Sequence, residues 1–154
     1  MKISEYIKLM VEKTGKEKLY KKRLLNILIL LTEAKLDLQL TEFDYFNTEQ
    51  FVIYLKKQNY KQNTVYSHFQ TLRHILNRAA REHSVNPGYL DVKVYREETA
   101  AVYLTPQEIE RIRLLEGLSP KAQITRDYFI LMCYTGLRIS DVRKLTTQNL
   151  IEDK

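Results

Sequence analysis

An arginine just past a glycine, with a carboxylate three residues on, is an arrangement suited to holding a phosphate. The chain carries it in Tyr134-Thr135-Gly136-Leu137-Arg138-Ile139-Ser140-Asp141. Gly136 ends the preceding helix, so Arg138 projects from a turn between two helices. Asp141 is close enough in sequence to pair with the guanidinium and fix its orientation. An arginine so held offers two parallel donors to a phosphate, which a lysine does less well. The same residues also fit a plain helix cap with a partner acid.

A second group of chemistry-bearing residues lies on one face of a helix. From Asn63 onward, Val65, Phe69, Leu72, Ile75, Leu76 and Ala79 share one side at 100° per residue. Ser67, Gln70, Thr71, His74, Arg78 and Arg81 fall on the other, with Lys61, Asn63 and Thr64 at its start. These are residue types that contact phosphates and base edges in a DNA major groove, which admits one helix. A solvent-facing helix of a bundle would carry the same types. Gln50 to Arg81 holds Lys56, Lys57, Lys61, Arg73, Arg78 and Arg81 with no acid, whereas an ordinary helical surface mixes signs. A smaller basic cluster, Lys16, Lys18, Lys21, Lys22 and Arg23, contains Glu17 as its one acid.

The elements that must position these groups are helical. Ile3, Tyr6, Ile7, Met10 and Val11 mark a first helix that Gly15 closes. Lys18 to Ala34 reads as a second, apolar on most sides and therefore central to a bundle. Asn47 is the expected cap of a third, with Gln50 closing the capping box and Phe46 against Phe51 as its staple. The fourth runs from about Lys61 until Asn86-Pro87-Gly88 stops it. Pro87 to Tyr103 lacks helical period and reads as a linker. Thr105, Pro106 and Glu108 then cap a fifth helix, Ser119-Pro120 opens a sixth, and a short one follows at about Ser140 to Leu145. Leu150 and Ile151 hint at a strand without a partner, so the chain is expected to be the front part of a longer protein.

Composition narrows the function classes. The 154 residues carry 25 Lys plus Arg against 19 Asp plus Glu, a net charge of +6 that fits a polyanion partner. With 4 Gly, 3 Pro and 44% hydrophobic residues, the chain is neither disordered nor loop-rich β. A single cysteine, Cys133, excludes an internal disulfide framework and fits a reducing, cytoplasmic setting. Its place beside Met132 and Tyr134 reads as a buried, inert thiol. No apolar run has the length of a membrane span. His68, His74 and His83 lack i, i+4 spacing and neighbouring carboxylates, so no metal or other cofactor is expected.

Taken in order, Leu104–Ile112 (LTPQEIERI) and Tyr128–Leu145 (YFILMCYTGLRISDVRKL) resemble the opening of the catalytic domain of tyrosine recombinases, the phage integrase family. Asn63–Pro87 (NTVYSHFQTLRHILNRAAREHSVNP) resembles the last long helix of that family's SAM-like core-binding domain, and the lysine-rich first helices are similar to Bacteroides-type integrases of mobile elements. The resemblance implies an all-α chain: a four-helix SAM-like core-binding bundle at 1–90, a linker at 91–103, and an incomplete catalytic domain at 104–154 that stops before its β-hairpin. It implies double-stranded DNA as partner, with Lys21, Lys22 and the polar face of the fourth helix as contacts. In the family the arginine of this motif binds the scissile phosphate and the following acid supports it, roles that pass to Arg138 and Asp141. A tyrosine attacks the phosphodiester and forms a 3′-phosphotyrosyl link that conserves bond energy, so neither ATP nor metal is needed. The remaining catalytic residues, including that tyrosine, match nothing here, which implies binding without cleavage by this chain alone. Full-length members assemble tetramers on paired sites; a monomer or weak dimer is expected of this chain. A small helical DNA-binding regulator without catalysis is the alternative.

Overall fold

The structure, a computed structural model, describes residues 1–15 and 18–149, and the side chain of Thr147 is outside that description. The basic residue Lys16 and the strand expected at Leu150–Ile151 therefore lie outside the described residues. The chain divides into two compact units, Met1–Thr99 and Ala100–Lys154. Among the described residues, both are built of helices joined by irregular segments, with no strand. None of these helices is long and apolar enough to cross a membrane.

The first unit holds α1 (Ile3–Lys13), α2 (Lys18–Glu33), α3 (Tyr45–Lys57) and α4 (Gln62–Ala79). In α1 the period-3.6 residues Ile3, Tyr6, Ile7 and Met10 are buried against α2. The helix ends at Lys13 with Thr14 in extended conformation. Gly15 is thus not the left-handed cap expected; the chain leaves the helix one residue earlier.

α2 packs on α1 and α4 and buries Leu24, Ile27, Leu30 and Leu31. Its composition, apolar on most sides, predicts a central helix with cover on most sides, but the cover is less complete. Two neighbours cover two faces, and Ile29 remains 55% exposed.

α3 begins earlier than expected. Asp44, not Asn47, is its N-cap, and Asp44 Oδ1 accepts from the Asn47 N–H at 2.8 Å. The Asn47 amide instead reaches back to the Glu42 carbonyl, also at 2.8 Å. Phe46 is 61% exposed, so no staple forms, while Phe51 is fully buried. A carboxylate takes the N3 donor, and the helix starts where that acceptor stands.

α4 buries Val65, Phe69, Leu72, Ile75, Leu76 and Ala79, the face its period predicts. The helix stops at Ala79, before Asn86-Pro87-Gly88, which forms a separate 3₁₀ turn at Pro87–Leu90. Asn86 Oδ1 caps this turn by accepting from the Gly88 N–H at 2.9 Å. The turn packs on α3 so closely that a Cβ on Gly88 would stand 2.9 Å from the Tyr45 nitrogen. Tyr89 is buried there and donates its hydroxyl to Asn77 Oδ1 of α4 at 2.8 Å.

The expected linker at 91–103 is partly bundle. Val92 is buried in the core of the first unit and Val94 packs against it. Residues 95–97 are tied to the first turn of α4, and the unit extends to Thr99.

The second unit holds α5 (Pro106–Arg113), α6 (Pro120–Thr135) and the one-turn α7 (Ile139–Val142). Thr105 Oγ1 accepts from the Glu108 N–H at 3.3 Å, and Glu108 Oε2 accepts from the Thr105 N–H at 2.7 Å. The Thr105 N–H foremost, and then the Thr105 hydroxyl, which donates to Glu108 Oε2 at 2.9 Å, hold the Glu108 carboxyl below its ordinary value. Ser119 caps α6, and Gly136 ends it at φ 69°, a left-handed position that suits glycine. α7 starts one residue earlier and ends three earlier than the expected Ser140–Leu145. Cys133, expected buried, is exposed, because α5 and α7 cover only part of α6.

Candidate functional site

The polar face of α4 does not simply meet solvent. Ser67, Gln70, Thr71 and His74 form one wall of a solvent-open cleft of about 520 Å³ in the first unit. α2 supplies the facing wall through Tyr20 and Arg23, and the segment after the 3₁₀ turn adds Arg96. Among the described residues that line it, none is acidic. Tyr20 and His74 share a hydrogen bond, Oη to Nε2 at 3.2 Å, with their rings edge to face. Thr71 Oγ1 donates to the Ser67 carbonyl at 2.9 Å, so its outward capacity is as an acceptor.

A second, neighbouring depression of about 480 Å³ is lined by His74, Asn77, Arg78, Arg81 and Glu82. Arg81 lies beyond the end of α4, on the turn that follows it. Arg78 stands near Tyr6 of α1, whose hydroxyl is pushed up by burial and by Glu82 and partly drawn back by Arg78. Glu82 makes this depression less positive than the first.

Of the DNA-contact residues expected from sequence, Asn63, Ser67, Gln70, Thr71 and His74 share the cleft, and Arg78 and Arg81 join His74 beside it. Lys61 is exposed as the N-cap of α4, and Thr64 is half-buried one turn on. Lys21 and Lys22 lie on α2 away from both depressions. Asn63 is engaged internally: its Nδ2 donates to the Glu97 carbonyl at 3.1 Å, and its Oδ1 accepts from the Glu97 N–H at 2.9 Å.

Sequence reasoning passed over Tyr20, Arg23, Tyr66 and Arg96 as cleft residues. Helical phase could have found Arg23, since it falls beside the Leu24–Ile27–Leu31 stripe while Lys22 falls nearly opposite. For Arg96 no sequence signal exists, because its segment has no period.

In the second unit Arg138 is the N-cap residue of α7, exposed, in the turn after Gly136. Its carbonyl accepts from the Asp141 N–H at 2.9 Å, but the two side chains are not paired. Asp141 Oδ1 instead accepts from Ser140 Oγ at 3.3 Å. The arginine is presented outward without an internal counter-ion among the described residues.

Comparison with curated proteins and with solved structures returned no match. Residues 2–99 match the family described as the phage integrase SAM-like domain. That span coincides with the first compact unit to within one residue. A helical unit whose boundaries follow the family's own, and which covers well over half of the sequence, places the chain in the phage integrase family, with its SAM-like domain at 2–99.

Proposed function

We propose that this chain is the DNA-binding part of a site-specific tyrosine recombinase, and that it grips duplex DNA without cutting it. The observation that carries the reading is the acid-free cleft between α2 and α4, within a domain of the phage integrase family. The polar groups of α4 line this solvent-open cleft along one helix, and they are of the types that contact base edges and phosphates. Arginines beside them supply phosphate contacts, which hold register but do not read sequence. Arg138 has the exposure a scissile phosphate needs, and Asp141 is one backbone hydrogen bond away. In this reading Arg138 stabilises charge on the phosphate during transfer to a tyrosine that this chain does not supply.

The test is binding of random-sequence duplex DNA across a salt series, followed by fluorescence anisotropy. The logarithm of affinity should fall linearly with the logarithm of salt, with a slope near −0.9 per phosphate contacted. Arg78→Ala and Arg81→Ala should each flatten that slope by about 1. No binding at about 50 mM salt would remove the reading.

A further inference from the structure

Residues 95–97 run without helix or strand beside the first turn of α4, and Tyr95 is mostly exposed. Three hydrogen bonds hold this strap. Gln62 Nε2 donates to the Tyr95 carbonyl at 2.7 Å, and the Asn63 amide takes both the N–H and the carbonyl of Glu97. Side chains at the start of α4 thus satisfy the Tyr95 carbonyl and both backbone groups of Glu97. The residue between the two anchors is Arg96. Its backbone is pinned on both sides, and its side chain lines the cleft that Arg23 enters from α2.

Neither Arg23 nor Arg96 makes an ion pair or side-chain hydrogen bond among the described residues. Glu97 and Glu98 follow Arg96 directly, yet neither closes on its guanidinium. Two arginines thus line the cleft beside the polar face of α4, one from α2 and one from the strap, with their charge uncommitted. A guanidinium in that condition suits an external oxyanion, and duplex DNA offers phosphates on both sides of a groove.

We propose that Arg23 and Arg96 are phosphate ligands in the cleft beside the α4 face, and that Asn63 is a positioning residue that acts through Arg96. This rests on the DNA-binding reading above and assigns Asn63 a different task from the other polar residues of α4. Asn63 spends its amide on Glu97, so its effect on DNA passes through the strap.

The experiment measures affinity and salt slope with random-sequence duplex DNA for the full chain and its variants. Arg23→Ala and Arg96→Ala should each flatten the slope by about 1. Asn63→Ala should give a smaller loss of the same sign that vanishes in the Arg96→Ala background. Equal cost of Asn63→Ala in both backgrounds would overturn the positioning role. To keep α4 itself intact, Glu97→Pro deletes the N–H that Asn63 accepts, with Glu97→Gln as its charge control. The proline variant should bind more weakly than the glutamine one while Arg96 is present, and equally when it is absent. Unchanged slopes for Arg23→Ala and Arg96→Ala, with Arg78→Ala still flattening it, would overturn this inference and leave the DNA-binding reading standing. Absence of duplex binding by the unaltered chain would remove both.

Discussion

The two units of this chain are both helical, yet they are held by different forces. In the first, side chains from α1, α2, α3, α4 and the 3₁₀ turn converge on one core that includes Phe43, Phe51, Phe69 and Ile75. In the second, Val142 is the one buried apolar residue among those described, while Val102 is 97% and Tyr134 70% exposed. Side-chain caps occur in both units, with Asp44 capping α3 in the first, but only there does a long helix start without one. α5 and α6 have side-chain N-caps, a capping box and a left-handed glycine stop. α4 begins at Lys61 with no side-chain cap at all. Capping contributes about 1 kcal/mol per end. Burying one large apolar side chain contributes about 1.5–3 kcal/mol. Where a core exists it can dispense with caps, and where burial is sparse local hydrogen bonds carry the helix.

That contrast is testable at both ends. The largest effect should come from Phe69→Ala, which empties the centre of the first unit and should cost ~3–5 kcal/mol in urea denaturation. A loss below about 1 kcal/mol would mean that burial is not what holds this unit. Gly88→Ala should cost about 1–3 kcal/mol by forcing the 3₁₀ turn away from the Tyr45 nitrogen, read by the same melt. Thr105→Ala should cost about 1 kcal/mol, confined to α5. Amide exchange at Glu108 should quicken while protection in α4 stays unchanged, and a shift in both would show that the two units are energetically coupled.

The smallest effect concerns His68, half-buried beside Tyr60 with ring centroids 5.4 Å apart. Burial lowers its pKa from the ordinary 6.5, so the folded state holds fewer protons than the unfolded one. Stability from this residue is complete above about 6.5 and declines as pH falls through that value towards the lowered one. His68→Phe should flatten stability between pH 7.5 and pH 5.5, about one unit either side of that value. An unchanged pH profile would assign the acid sensitivity to other groups.

The same contrast explains what could be read from the letters alone. The buried face of α4 is legible because one partner surface and one period determine it. The caps of α5 and α6 are legible because their donors and acceptors lie within three residues. The start of α3 is not, since Asp44 and Asn47 are both competent caps and the choice depends on how Phe51 and Thr48 enter the core. The exposure of Ile29 is equally hidden, because composition does not say how many neighbours α2 has. In the candidate site, the α4 wall follows from periodicity, but Arg96 arrives from 33 residues beyond Asn63 through a contact no spacing rule describes. Three-residue spacing brings Arg138 and Asp141 within reach without deciding their rotamers, and the structure leaves them unpaired.

The pairing of consecutive helices, α1 on α2 and α3 on α4, has a kinetic consequence. These two closures are short, although α2 on α4 and the 3₁₀ turn on α3 close longer ones, and helical bundles are among the microsecond-to-millisecond folders. Ribosomes add about 5–20 residues per second. Once Thr99 has cleared the exit tunnel, the bundle can therefore fold during the seconds in which later residues are still being joined. Its core closes as a finished object, with no need to wait for the remainder of the chain.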